Sequence, residues 1–566
     1  MKYWIMNHKV EIGAILGITI SASLLLFMPG ITLGHDLFFH LMRIEGISDE
    51  LSQGHFPVRL QSIWLDDYGS PVSIFYGDLL LYFPAILHLF GLGLTKAYEL
   101  YLFFVNFATA ILSFICFKQI FKNRNIALTL SLVYTTASYR LVDIFVRSSV
   151  GEYTSFLFFP LVALAFYRIY FSKTDTILKN TIILSFGMSG LILTHILSTE
   201  MTVLVLGFLC LIFCKKTFSK KVLLTLISSV FLTFLLCAYF IVPFMDYFLN
   251  VPVYITNSDR WLLQPGGVYF SQLFAFFQNP FGADSELVSR RMLYSPGIVL
   301  MVGFVLSIIY LAYHKNDKYL IGLLCLACFL MLLSSNIFPW DKIHFIKIGK
   351  IRIGVKISRI LSRIQYAWRW LGFVTIFMTL LLGRLIVLSE KEFFKTIYGR
   401  YSMLIIVISM ALFQTFVFTS KYIDGASNYT ADSYLAFGSI PGGSIDYLPP
   451  DTDISNLSGK INEKNVIISN LTRNRNNFSF HAVATDVAFV ELPLFNYKGY
   501  KAVAADGSEM NIIDGENNVV RINIPAMFDG NIEIHFVEPL LWRISEIVSL
   551  ISILAVLFLI KFVKKQ

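Results

Sequence analysis

Charged side chains are what this chain has least of. Only 15% of its 566 residues are Asp, Glu, Lys or Arg, against 56% that are hydrophobic, and that balance excludes an ordinary water-soluble protein. The six cysteines stand at 116, 210, 214, 237, 325 and 328, in or beside apolar stretches, with no His or acidic residue spaced to join them. That excludes a disulfide framework or a thiolate metal site and leaves packing. No Gly-x-x-x-x-Gly-Lys loop is present, which argues against an ATP-driven pump. No inverted repeat of the kind many secondary transporters carry stands out. The net charge of +9 is not a nucleic-acid signature. Its Lys and Arg cluster in short loops between apolar runs, the pattern by which a membrane protein sets its orientation. The expected partner is the lipid bilayer, not nucleic acid.

Apolar runs long enough to cross a bilayer recur almost throughout. The first has Lys2 and Lys9 before it, like a signal peptide, but it is long and more spans follow, so it reads as a retained signal anchor. The basic or mixed loops at 118–124, 171–179, 215–221, 314–318 and 389–400, together with Lys561, Lys564 and Lys565, all fall on one side for a particular set of spans. These are 11–29, 97–117, 125–140, 154–170, 180–194, 199–214, 222–247, 297–313, 319–335, 370–388, 402–420 and 546–562. The map requires that 74–93 not cross fully, and Gly77, Asp78, Pro84 and His88 fit a broken or re-entrant helix there. The expectation is an α-helical polytopic membrane protein of about twelve spans, with both termini cytoplasmic. Its transmembrane domain covers 1–420, with a first external loop at 31–96. An extracytoplasmic β-rich domain covers 421–540, and 541–566 forms a last span and tail.

Short apolar runs such as 465–469, 477–481, 487–491, 519–524 and 531–536, separated by Gly, Asn, Asp and Pro, predict strands of a small β-sandwich in the β-rich domain. The Asn-rich stretch 470–477 reads as a hairpin turn. The Asn-x-Ser/Thr matches at Asn428, Asn456, Asn470 and Asn477 are expected by chance in so Asn-rich a region.

The polar features gather on the outer side of this map, which favours an external active or binding surface over a mid-membrane transport path. Directly after the first apolar run comes Gly34-His-Asp-Leu-Phe-Phe-His-Leu-Met-Arg-Ile-Glu-Gly46. It places Asp36 at the membrane boundary beside His35. On a helix Asp36, His40 and Arg43 share a face, while Leu37, Phe38, Leu41, Met42 and Ile44 suit a helix lying in the interface. An acid here fits work on a lipid-linked substrate; Asp is also a common helix cap, and both readings stand. One loop breaks the charge rule: Lys347, Lys350, Arg352, Lys356, Arg359, Arg363 and Arg369 lie outside. From Arg352 onward their spacing predicts a basic amphipathic surface helix. It either anchors to anionic headgroups or binds a lipid phosphate, to which Arg forks are suited.

The 34–46 run, followed by Gly54-His-Phe-Pro-Val-Arg59, resembles the opening of a group of bacterial polytopic proteins named for a relation to pyruvoyl-tetrahydropterin synthase. That group neighbours the YfhO-type membrane proteins within the GT-C glycosyltransferase superfamily. Tyr139-Arg-Leu-Val-Asp-Ile-Phe-Val-Arg-Ser-Ser-Val-Gly-Glu152, Thr194-His-Ile-Leu-Ser198 and Ile364-Gln-Tyr-Ala-Trp-Arg369 are similar pieces. The last departs from the group's Gln-Phe-Pro-Trp-Arg form. Val490-Glu-Leu-Pro-Leu-Phe-Asn-Tyr-Lys-Gly-Tyr500 is similar to the outer domain of YfhO-type proteins. The resemblance spans essentially the whole chain and implies a GT-C fold. In such enzymes an acid of the first external loop acts as general base or helps hold a metal, and the donor is a sugar on a polyprenyl phosphate. Asp36 matches that position.

The resemblance makes Asp36 the base that deprotonates an acceptor hydroxyl. Arg147, Arg369 or Arg59 would stabilise the leaving lipid phosphate. Glu152 would act as a second acid or support an arginine, or simply as a helix-start acid. His35, His40 and Arg43 join as substrate contacts. His195 reads first as a helix cap and second as a substrate contact. Asp66, Asp67 and Asp78 are the candidate partners for a divalent metal; they form no tight cluster, so no cofactor is expected. The acceptor would be a cell-envelope glycopolymer or lipid. The other function class is a non-enzymatic lipid or polysaccharide transporter or assembly factor.

The charge map makes a direct forecast. Single cysteines at Ser52 and Ser508 should react with a membrane-impermeant thiol reagent in intact cells, while one in loop 215–221 should not. Protection of the first two with labelling of the third would invert the map.

Overall fold

The computed structural model describes residues 9–28, 30–172, 176–257, 262–277, 292–314, 317–422, 426–427 and 443–563. The expected flanking lysines 2, 564 and 565 and the Asn428 match lie outside this set. Among the described residues six helical segments are long and apolar enough to cross a membrane: Leu94–Phe121, Val150–Phe171, Lys220–Asn250, Ala367–Glu392, Ile397–Tyr422 and Leu540–Lys561. Four shorter apolar helices, Ile177–Ile192, Ile196–Ile212, Ile298–Tyr313 and Lys318–Ser334, coincide with further expected spans. The twelve-span expectation therefore meets six full-length helices. Where it parts from the structure the cause is local. The stretch 11–29 divides into Lys9–Ala22 and a 3-10 turn, Leu24–Phe27. The stretch 125–140 divides into Arg124–Thr135 and Ser138–Phe145. A helix of 12 residues, as in Arg124–Thr135, rises about 18 Å, short of the roughly 30 Å hydrocarbon core. Segment 74–93 is broken, with Val72–Phe75 and Tyr82–Leu89 as separate helices.

The chain divides into two compact units. The described residues of the first, built from 1–37, 98–230 and 259–430, are mainly helical, with a short antiparallel pairing of Ile31–Thr32 with Ala426–Ser427 and isolated bridges at Val268–Ser335 and Ile348–Ile351. Its helices approach closely at small residues. A side chain at Gly383 would meet Phe121 and Leu130, and one at Gly190 would meet the ring of Phe158. Small residues at crossings are how helices pack where no hydrophobic effect drives them together.

The second unit gathers 38–97, 231–258 and 431–566. It holds two antiparallel sheets. In one, Phe528–Phe536 pairs with Asn477–Ala484 and Tyr500–Ala504, flanked by Ile467–Asn474 and Glu509–Met510. In the other, Ala488–Phe495 lies between Asn462–Lys464 and Val519–Ile524, with Ile512–Asp514 at the far edge. The expected strands are present, extended, with four more between and around them. Alternation explains the layering: Phe478, Phe480, Ala482 and Ala484 point one way, and Val490, Leu492, Val520, Ile522, Ile532 and Ile534 join them in one buried core. Trp64, Tyr68 and Phe75 of the first loop, with Tyr247 and Trp542, belong to the same core. The Asn-rich stretch is a hairpin, with Asn474 opposite Asn477 and Arg475 left-handed at φ 57°, the backbone sign that two-residue hairpins need. Glu491, buried within its strand, is held by Arg521 at 2.5 Å and by Asn462 at 2.7 Å. Along the last helix Ile547, Leu550, Ile551, Leu554 and Phe558 are exposed, a surface suited to lipid and not to water.

Ile532 is fully buried between the sheets. Ile532→Ala should cost about 2–5 kcal/mol of unfolding free energy, read as a lowered denaturant midpoint of the purified protein. A midpoint equal to wild type would place this residue outside the load-carrying core.

Candidate functional site

The site forms where three pieces of the first unit converge. The piece from Gly34 to Asp36 lies along 146–148: the amide of His35 donates to the carbonyl of Val146 (3.2 Å) and that of Asp36 to the carbonyl of Arg147 (2.9 Å). Gly34 permits this approach, because any Cβ there would run into Ser148, itself left-handed at φ 51°. The backbone of Asp36 is thereby pinned to the segment that carries Arg147. Its carboxylate is half-buried and, among the described residues, has no hydrogen-bond or ion-pair partner.

The second piece is Ser138–Phe145 with the short helix Val150–Ser155 that follows. Its spacing turns inward an acid, a base and an acid. Arg147 reaches Asp143 at 2.7 Å and Glu152 at 2.5 Å, and the Tyr139 hydroxyl donates to Glu152 at 2.6 Å. The third piece, 364–370, brings Arg369. Its Nε lies 3.2 Å from Glu152, an ion pair without the alignment of a hydrogen bond. Its Nη1 donates to the Ile364 carbonyl (2.8 Å) and to Gln365 (3.0 Å). Gln365 is left-handed at φ 65°, a costly conformation for a side chain of this kind. That kink ends the preceding helical turn so that Arg369 can face inward just before the helix Leu371–Glu392.

Two guanidiniums and two carboxylates thus share one buried pocket of charge. Burial, then the nearby Glu152 charge, pushes the Asp143 carboxyl well above the usual carboxylate range, against the pull of Arg147. His195 caps the helix Ile196–Ile212, its ring nitrogen accepting from the Ser198 amide at 3.3 Å, and it also interacts electrostatically with Glu152. The cap reading of His195 holds.

The structure therefore brings together Asp36, Arg147, Glu152, His195 and Arg369. His35 is exposed. Asp36 stands just before the helix Leu37–Ser52, so the expected stripe begins with a pre-helix residue. Within that helix Leu37, Leu41, Ile44 and Arg43 are fully buried inside the protein. Arg43 sits against the Tyr76 ring, donates to the Gly77 carbonyl at 3.1 Å, and pairs with His40 and Asp78 within the second unit. Arg59, in the same unit, binds Glu546 (2.7 Å), Glu538 (3.3 Å) and the Tyr239 carbonyl (3.0 Å). Its role there is to hold the 57–60 stretch to the last helix. Among the described residues no three His, Cys, Asp or Glu side chains converge as metal ligands. Asp143 and Tyr139 were not singled out from sequence, although the Asp143-x-x-x-Arg147 spacing, one helical turn, was the available signal.

Beside the cluster runs an apolar groove of about 150 Å³. Leu204, Phe208, Leu330, Trp340, Leu361 and Trp370 line it, and Trp370 follows Arg369 directly.

Glu152 is the charge that both arginines share. Glu152→Gln should destabilise the protein by about 3–5 kcal/mol, because it leaves buried guanidiniums without their acid, whereas Asp36→Asn should leave the unfolding temperature nearly unchanged. Thermal unfolding of both purified variants checks this; equal shifts would mean that the cluster does not hold the unit together.

No family model matches the chain. A protein of Lactococcus lactis subsp. cremoris (strain MG1363), described as an uncharacterized protein, is 22% identical and is matched over 98% of this chain and 95% of its own. The crystal structure of the Archaeoglobus fulgidus oligosaccharyltransferase in the apo form is similar at a TM-score of 0.37 and 12% identity, over 74% of this chain. This chain spans 56% of that structure's length.

Proposed function

We propose that this chain is a membrane glycosyltransferase. On this reading it moves a sugar from a polyprenyl-phosphate donor to a cell-envelope glycopolymer or lipid, on the outer face of the membrane. The observation that carries the reading is the pairing of an unengaged carboxylate, Asp36, with a buried two-arginine cluster to which its own backbone is hydrogen-bonded. Glycosyl transfer from a lipid phosphate needs both parts. An acceptor hydroxyl attacks the anomeric carbon while Asp36 takes its proton. The bond from that carbon to the phosphate oxygen breaks, and the oxygen leaves with the electron pair. Arg147 and Arg369 meet the charge that develops on it, in surroundings of low dielectric where such donors act most strongly. Glu152, Tyr139 and Gln365 hold the guanidiniums in place, and the apolar groove next to Trp370 receives the start of the polyprenyl chain. The resemblance of the 34–46 run to GT-C openings supports the same assignment of Asp36.

Purified protein incubated with a panel of polyprenyl-phosphate sugars should turn over one of them. Asp36→Asn should then lower the rate by about 100-fold or more. Arg369→Lys should raise the donor concentration required, because Lys lacks the bidentate fork, while Lys347→Ala should not. Arg147→Ala and Arg369→Ala should combine less than additively, since they share Glu152. Near-normal turnover by a well-folded Asp36→Asn protein would remove Asp36 from the chemistry, and no turnover of any donor would remove the enzyme reading.

A further inference from the structure

Residues 340–363 fold into a compact hairpin of unusual character. The 3-10 segment Trp340–Phe345 leads to a tight turn in which Ile348 and Ile351 exchange backbone hydrogen bonds, and the helix Ile353–Leu361 returns along it. The two arms meet through small residues. A Cβ on Gly354 would collide with the Ile343 carbonyl; the Gly354 amide donates to the Ile346 carbonyl at 3.0 Å; Ser358 is 3.1 Å from the His344 ring nitrogen. With Gly354, Ser358 and Ser362 facing inward, the large apolar side chains have only the outside. Phe345 is 73% exposed, Ile348 64% and Ile351 71%, and Ile346 and Ile360 are about half exposed.

Interleaved with them are seven cations, Lys342, Lys347, Lys350, Arg352, Lys356, Arg359 and Arg363, all exposed. Apart from Arg363, which faces Glu200, none has an ion-pair partner among the described residues. The one acid of the stretch, Asp341, accepts instead from the amide of Leu263 at 3.2 Å. Water suits the cations and not the isoleucines; hydrocarbon suits the isoleucines and not the cations. Only a boundary carrying negative charge suits both.

We propose that this hairpin docks on the anionic phospholipid headgroups of the bilayer, with Phe345, Ile348 and Ile351 at the acyl boundary and the cations on phosphates around them. This assigns the stretch to bulk lipid and separates it from Arg369, whose guanidinium is buried against Glu152. It does not depend on the glycosyltransferase reading.

The test uses the full chain, with its cysteines replaced by serine and a fluorophore on Ile348→Cys, reconstituted in phosphatidylcholine or in an equal mixture with phosphatidylglycerol. Acyl-brominated phosphatidylglycerol should quench the fluorophore more strongly than brominated phosphatidylcholine, by about two-fold or more. The preference should fall when Lys347, Lys350, Lys356 and Arg359 are all changed to Gln, and in high salt. Spin-labelled phosphatidylglycerol binding by the chain with its native cysteines, compared with the same four-fold Gln variant, gives an independent readout without cysteine replacement. Equal quenching by both lipids, or an iodide accessibility at 348 equal to that of a fluorophore on Ser508→Cys, would overturn the proposal. Shielding that depended on protein concentration instead of lipid charge would also overturn it, in favour of a second copy of the chain.

Discussion

The helical unit is organised around one buried carboxylate. Glu152 receives Arg147 from its own segment, Arg369 from a segment some two hundred residues away in sequence, and a hydrogen bond from Tyr139. A charge this buried is tolerated only while its partners are in place, so it fixes where the 138–152 and 364–370 segments must lie. Arg147 also lends its backbone carbonyl to Asp36. The position of the candidate base is therefore a consequence of the ion-pair cluster, through one hydrogen bond and the room left by Gly34.

On the proposed reading, this arrangement separates holding from reacting. Glu152 and Gln365 accept from the arginines, Tyr139 donates to Glu152, and burial pushes the Asp143 carboxyl well above the usual carboxylate range. Among the described residues Asp36 is the acid of this group without a hydrogen-bond or ion-pair partner. A group that must take a proton from a substrate needs such freedom, and a group that must stay charged beside a leaving phosphate needs to be held. The second unit uses the same chemistry for a different end. Arg59, tied to Glu538 and Glu546, and Arg43, tied to Asp78, are committed to joining its own segments.

Membrane character is written twice over, in the long helices and in the direction of exposure. Along the last helix Leu540, Ile547, Leu550, Ile551, Leu554 and Phe558 are exposed while Trp542 and Val556 are buried, and on the 340–363 hairpin Phe345, Ile348 and Ile351 are exposed. In the hairpin the cause is visible: glycine and serine occupy the contact between the arms, and this displaces isoleucine to the surface.

Composition by itself determined that this is a chain for a membrane, because hydrophobic content and the length of apolar runs are sums over residues and need no fold. Short apolar runs set between turn residues likewise determined the strands around 477–481, 519–524 and 531–536, and the Asn-rich stretch the hairpin near 475. Asp36 was legible from its place after the first apolar run, and Arg147, Glu152 and Arg369 from motifs that resemble a known family. Their grouping was not. Which cation meets which acid depends on contacts between residues far apart in sequence, and Arg43, Arg59 and Arg369 look alike until their partners are known. Asp143 had one signal, its helical-turn spacing from Arg147, but that spacing does not tell a buried pair from a solvated one. The break of 125–140 at its Thr-Thr-Ala-Ser sequence and the outward face of the 353–361 helix were decided by packing, where small side chains allow backbones to meet and the larger ones must turn away.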